Sequence, residues 1–187
     1  MNAPPLAIVQ ARMGSRRLPG KMMLPIGGVP LIERVWRTTV EAFGAEHVIV
    51  AHPDTPENAP MAEHLDRIGA RRFAFPGDES DVLGRFWHCA HHRRWHPDSI
   101  IVRVTPDDFR KDPDAMRRVA NGERLPVELG AEAFTLAMLD AAHARYPAGH
   151  LAREHLTLGL FPTAPPEAPE GGWSIDTPED YERARAA

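Results

Sequence analysis

Apolar positions along this chain fall into short continuous runs that alternate with stretches of helical spacing. Leu6-Ala7-Ile8-Val9 reads as a strand buried on both faces, since no polar residue interrupts it. After Pro30, the residues Leu31, Ile32, Val35, Trp36 and Val40 recur at helical spacing and predict a helix over roughly 30–43. His47 to Ala51 is a second apolar strand, Met61, Leu65 and Ile68 place a helix over 58–68, and Arg71 to Phe75 is a weaker strand. Ser80 or Asp81 caps a helix whose buried face is Val82, Leu83, Phe86, Trp87 and Ala90. Ser99 to Val104 is the clearest strand in the chain.

The later elements are shorter. Pro113 to Ala120 predicts a short helix, Leu125 to Leu129 an extended segment, and Ala131 to Arg145 a helix with Phe134, Met138 and Ala142 on one side. Residues 161–172 are rich in proline and glycine and read as a loop. Trp173-Ser174-Ile175 predicts a last strand. Thr177-Pro178-Glu179-Asp180 then opens a final helix with an N-cap, a proline in the first turn and acids near the helix start. The alternation predicts an α/β fold, a Rossmann-like and mostly parallel sheet with helices on both faces. No repeat or linker divides the chain, so 1–187 is expected to be a single domain.

Composition narrows the function. A net charge of −4 leaves no excess of cations for a nucleic-acid backbone. Lys21 and Lys111 are the only lysines, and the single cysteine, Cys89, excludes an internal disulfide and points to a reducing compartment. No stretch approaches the ~18 apolar residues of a membrane span. The early apolar run is four residues long and is soon followed by Arg12, unlike a secretory signal. A cytoplasmic protein with no nucleic-acid or membrane partner is expected.

The densest chemistry follows the first strand. Gln10-Ala11-Arg12-Met13-Gly14-Ser15-Arg16-Arg17-Leu18-Pro19-Gly20-Lys21 holds two glycines and four cations. Glycines allow tight turns and close approach of backbone amides to a ligand, and such loops at the carboxyl end of a sheet hold phosphates. The spacing is neither the G-x-x-x-x-G-K-[ST] nor the G-x-G-x-x-G pattern, which disfavours the ATPase and dehydrogenase readings. Two further strand ends carry acids, Thr105-Pro106-Asp107-Asp108 and Ile175-Asp176-Thr177. In a parallel sheet these ends converge on one edge. Carboxylates facing a basic loop suit a Mg²⁺ that bridges phosphates. The same acids equally suit a local role, as caps of the following turns or of the last helix.

His88, His91, His92 and His96 with Cys89 have zinc-like spacing. They stand opposite the apolar face of their helix, so a solvated face is the stronger reading. Trp87 and Trp95 read as core residues, and Arg71-Arg72 and Arg93-Arg94 as surface charge.

The Gln10–Lys21 segment resembles the opening motif of the cytidylyltransferase family, whose members include CMP-sugar synthetases and SpsF-like spore-coat polysaccharide proteins. The SpsF-like branch is the nearer match. Further matches follow in order: Asp81-Val82-Leu83-Gly84-Arg85-Phe86, Arg103-Val104-Thr105-x-Asp107, Val127-Glu128, Arg153-Glu154-His155-Leu156-Thr157 and Ile175-Asp176-Thr177-Pro178-Glu179-Asp180-Tyr181. The resemblance implies a nucleotide-diphosphosugar-transferase type of fold. It also implies nucleotidyl transfer from an NTP, CTP foremost, to a sugar acid, sugar phosphate or similar anionic acceptor, with release of pyrophosphate.

By that resemblance Arg12 and Lys21 bind the triphosphate with Arg17 nearby, and Gln10, Ala11, Gly14 and Ser15 complete the nucleotide loop. Asp107 and Asp176 hold Mg²⁺, and Asp81, Val82 and Leu83 lie near the nucleoside. Glu128, Arg153, Glu154 and His155 lie on the acceptor side. A homodimer is plausible by the same analogy. Pro106, Asp108 and Phe109 depart from the family's usual residues, and the segment between Val119 and Leu125 is shorter than the family's. Asp108 is expected to repel phosphate or share the metal. These departures leave room for a non-catalytic NTP-binding scaffold of the same fold. A nucleotide-sugar glycosyltransferase is a further alternative.

Overall fold

The computed structural model describes residues 4–92, 98–127, 129, 131–163, 166 and 174–186. The chain begins with β1 (Leu6–Gln10), a hairpin of β2 (Pro25–Ile26) and β3 (Val29–Pro30), and α1 (Leu31–Phe43). Then come β4 (Val48–Pro53), α2 (Ala59–Arg67), β5 (Arg72–Phe75), α3 (Val82–His91) and β6 (Ile100–Val104). The second half holds α4 (Pro113–Ala120), β7 (Glu132–Thr135), α5 (Leu136–Arg145), α6 (Leu151–Glu154), α7 (Leu156–Leu160) and α8 (Pro178–Ala186).

The main sheet has the order β5-β4-β1-β6-β7. β1 pairs in parallel with β4 and β6, Val9 lying opposite both Val50 and Val104. β4 and β5 are also parallel, and β7 runs antiparallel to β6 at the edge. The sheet is therefore mostly parallel, as its strand–helix alternation predicts.

The continuous apolar runs have a direct cause. Ala7 and Val9 pack with Ile32, Val35, Met61 and Met116 on one face. Leu6 and Ile8 pack with Leu83, Phe86 and Leu139 on the other. A strand covered on both faces has no solvent side on which to place polar residues.

The structure differs from the sequence reading in four places. The helix expected over 131–145 begins only at Leu136. Residues 132–135 instead pair with β6, Ile101 opposite Phe134. The free edge of β6 overrides the local helical preference of Ala131-Glu132-Ala133, and Thr135 caps the shortened helix by accepting from the Met138 amide at 3.2 Å. The hairpin at 25–30 turns through Gly27 and Gly28, with φ of +58° and +79°, the geometry of a type I′ turn. No strand forms over the described part of 125–129. Of the predicted last strand, Trp173 lies outside the described residues and Ser174 forms an isolated antiparallel bridge with Asp108.

The histidine-rich face of α3 divides by side. Cys89 turns into the core, where burial pushes its thiol up to about 12. His88, His91 and His92 are exposed, while His96, Trp95, Arg93 and Arg94 lie outside the described residues. Trp87 is half-buried rather than a core residue, stacked between His91 at 4.3 Å and His143 at 4.5 Å. Among the described residues no helix is long and apolar enough to cross a membrane.

Candidate active site at the carboxyl edge of the sheet

The loop after β1 is held in shape from below. The Ala11 amide donates to Ala51 O at 3.0 Å, extending the sheet by one residue. The Met13 amide donates to Asn58 Oδ1 at 2.9 Å, and Asn58 is itself fixed by donating to Thr55 Oγ1 at 2.9 Å. The amides of Ser15 and Gly20 both converge on Met13 O, at 2.9 and 3.2 Å. Gly20 closes the loop with φ +72°, a left-handed conformation that favours glycine. Arg12, Arg16 and Arg17 are left exposed on the outer side, while Lys21 turns inward and is buried.

The Lys21 ammonium meets three oxygens: Asp107 Oδ1 at 2.6 Å, Asp176 Oδ1 at 3.2 Å and Ile175 O at 3.1 Å. Arg17 reaches the other oxygen of Asp176 at 3.1 Å. The ends of β1 and β6 and the Ser174–Asp176 segment thus meet at one point, although the last segment is held by its antiparallel bridge to Asp108 and not as a strand of the main sheet. Desolvation pushes the Asp107 carboxyl above its ordinary range, and the Asp108 and Asp176 charges add to this against the pull of Lys21.

Asp108 does not face the cavity. It is buried and accepts from Thr105 Oγ1 at 2.8 Å, from Ser174 Oγ and from Lys111 Nζ at 3.4 Å. Lys111 in turn donates to Val127 O at 2.8 Å. With the Ile175 amide donating to Asp107 O at 2.9 Å, this knot fastens the two acid-bearing segments together. Asp176 and Thr177 both donate their amides to Asp180 Oδ2, at 3.1 and 2.8 Å, and Thr177 Oγ1 accepts from the Asp180 amide at 3.2 Å. That is a reciprocal capping box at the start of α8.

These groups line a polar cavity of about 800 Å³. Gln10, Arg12, Gly14, Ser15, Arg17, Lys21, Asp107, Asp176 and Glu154 border it, joined by Asp78, Glu79 and Pro106. A second chamber of about 300 Å³ adjoins it through Gln10, Arg12 and Glu154, and includes Val82, His155 and Thr157. Its floor is a polar chain: Arg103 donates to Gln10 Oε1 at 3.1 Å and pairs with Glu132, which accepts from Thr157 Oγ1 at 2.9 Å.

Four of the residues picked from the sequence border neither chamber. Ala11 is buried beneath the loop, and Leu83 is core. Arg153 is buried and grips Asp81 with two 2.8 Å contacts, its remaining nitrogen donating to Tyr146 O at 2.8 Å. Asp81 also accepts from the Gly84 amide at 2.8 Å and caps α3. Burial raises the Asp81 carboxyl, but Arg153 and the Gly84 amide outweigh it and hold it below its ordinary range. Glu128 lies outside the described residues. Asn58, Glu79, Arg103 and Glu132 were not legible as site residues, because each acts on a group far away in sequence.

Residues 6–109, more than half of the chain, match the family described as Cytidylyltransferase. The chain is 33% identical over 113 residues to the 3-deoxy-manno-octulosonate cytidylyltransferase of Methylococcus capsulatus, a match covering 60% of this chain and 42% of that protein. It is 28% identical to the spore coat polysaccharide biosynthesis protein SpsF of Bacillus subtilis, covering 97% of this chain and 85% of that one. The 3-deoxy-manno-octulosonate cytidylyltransferases are thus matched over less than half of their length, unlike SpsF. Among solved structures, a cytidylyltransferase from Leptospira borgpetersenii superposes with a TM-score of 0.82 at 22% identity, covering 98% of this chain and 85% of that chain. A CMP:2-keto-3-deoxy-manno-octonic acid synthetase complexed with CTP gives 0.71 at 18% identity, covering 98% of both chains.

Proposed function

The chain belongs to the cytidylyltransferase family, and on that premise we propose that it transfers CMP from CTP to a sugar acid or similar small anionic acceptor, releasing pyrophosphate. One observation carries this reading. The cations of the first loop and the carboxylates of Asp107 and Asp176 line a single cavity at the carboxyl edge of the sheet, beside a second chamber large enough for a small acceptor.

Arg12 and Arg17 neutralise the triphosphate, and the absence of a side chain at Gly14 lets the backbone approach it. Lys21 holds the two carboxylates at a fixed separation. Asp107 and Asp176 would hold a divalent cation only together with phosphate oxygens, since no larger cluster of ligands forms among the described residues and Mg²⁺ is commonly held by one or two carboxylates plus substrate oxygens. Such a cation would supply charge neutralisation at the reacting phosphate.

An acceptor oxygen placed in the second chamber attacks the α-phosphorus in line. The new O–P bond forms as the bond to pyrophosphate breaks. Gln10, fixed by Arg103, and the side chains of Glu154 and His155 orient the acceptor. Positioning and charge neutralisation carry most of the catalysis.

The test is pyrophosphate release from CTP with a panel of sugar acids and sugar phosphates. Release is expected with one of them and lost in Lys21→Ala and Asp107→Asn. Full activity in both variants contradicts this assignment of roles.

A further inference from the structure

Arg85 is completely buried in α3, and none of its three guanidinium nitrogens has a hydrogen-bond partner among the described residues. Burial, and then the Arg12 charge, draw its pKa down to about 10, so it remains a cation at neutral pH. A buried charge without a partner is strongly unfavourable. Such a group calls for an explanation, and a second arrangement that gives it a partner is one.

The carboxylates that act on Arg85 are Glu79 and Asp81. Asp81 is committed, both oxygens being held by Arg153 and one also by the Gly84 amide. Glu79 is not. Among the described residues its one polar side-chain contact is a 3.4 Å approach to Arg12 Nη1, and its side chain is about one-third exposed. It also lies across the phosphate-type loop: a Cβ built on Gly14 would stand 2.6 Å from Glu79 Oε1. A carboxylate is therefore placed against the cation and the glycine that the proposed function gives to a polyphosphate. The two anions repel each other, and Arg12 cannot serve both well.

We propose that Arg85 is the second seat of Glu79: the carboxylate leaves Arg12 for Arg85 when a polyphosphate takes Arg12. The swing needs little chain, since Glu79 stands two residues before Asp81, the cap of the helix that carries Arg85. Arg85 is then a positioning residue that acts through Glu79 and does not touch the ligand. The inference rests on reading the first loop as a polyphosphate site.

The experiment is a double-mutant cycle read by calorimetry, with Mg²⁺ and either inorganic tripolyphosphate or CTP as the probe. Arg85→Met weakens tripolyphosphate binding by about tenfold, the scale of one hydrogen-bonded charge contact. The same substitution has no effect in a Glu79→Gln background, because the moving carboxylate is gone. Without ligand, Arg85→Met melts no lower than the wild type, since it removes an unpartnered charge. Arg85→Gln repeats the cycle should methionine not fold there.

Equal losses in both backgrounds, no loss in either, no binding of tripolyphosphate to the wild type, or a lower melting point for both Arg85 variants each overturn the proposal. A cycle that holds with tripolyphosphate while CTP does not bind leaves this inference standing and overturns the proposed function instead.

Discussion

The Lys21 ammonium and Asp107 Oδ1 stand 2.6 Å apart, and Asp176 Oδ1 lies 3.2 Å from the same ammonium. The cation of the first loop is thus also the fastener of the acid pair. Replacing Lys21 by alanine removes the ammonium that the two carboxylates share and leaves them to repel each other. Pyrophosphate release is expected to fall by roughly 100-fold, the usual scale for one electrostatic group at a reacting centre. Lys21→Arg does not restore it, because a planar fork cannot meet three oxygens arranged around one point. Steady-state rates of the two variants check this.

Asp108 and Lys111 form the buried knot behind that pair. Asp108→Ala strips partners from Thr105, Ser174 and Lys111, and leaves a buried ammonium unpaired. The loss is about 3 kcal/mol of stability, as for other broken buried pairs. Chemical denaturation measures it. Asp108 was expected to repel phosphate or share the metal. Its direction away from the cavity removes that ground for a non-catalytic protein.

Asn58→Ala frees the Met13 amide beneath the loop. An unsatisfied amide of this kind costs about 1–3 kcal/mol. Because Met13 O also anchors Ser15 and Gly20, nucleotide affinity is expected to drop along with the melting temperature. Calorimetry at a temperature where the variant is still folded separates the two effects.

The Asp81–Arg153 pair gives a pH dependence with a definite sign. The Asp81 carboxyl is held below its ordinary range in the folded protein. Its contribution to stability is present above the unfolded value of about 4 and is lost as pH falls through the lower folded value. Wild type therefore exceeds Asp81→Asn in melting temperature at pH 7, and the gap narrows below about pH 4. A gap that stays constant down to acid unfolding contradicts this role.

Legibility followed the range of each interaction. The sheet, its helices and the first loop were readable because apolar runs, glycines and clustered cations are local signals. Asp107 was readable because it follows β6 in the parallel sheet, whereas Asp176 reaches the same edge through an isolated antiparallel bridge between Ser174 and Asp108 and not as the end of a sheet strand. β7 was misread, since its residues favour a helix and only the open edge of β6 makes them extended. Arg153 and Asp81 were placed near acceptor and nucleoside, yet they grip each other across 72 residues of sequence. Glu79 and Arg12 meet across 67, and no spacing rule reaches that far.

The proposed function requires that the cavity at the end of β1 hold a nucleoside triphosphate with its metal. Titration calorimetry of CTP, GTP, ATP and UTP, each with and without Mg²⁺, tests this. Mg²⁺-dependent binding that favours CTP and is lost in Lys21→Ala is expected. Failure of all four nucleotides to bind the wild type with Mg²⁺ present contradicts it.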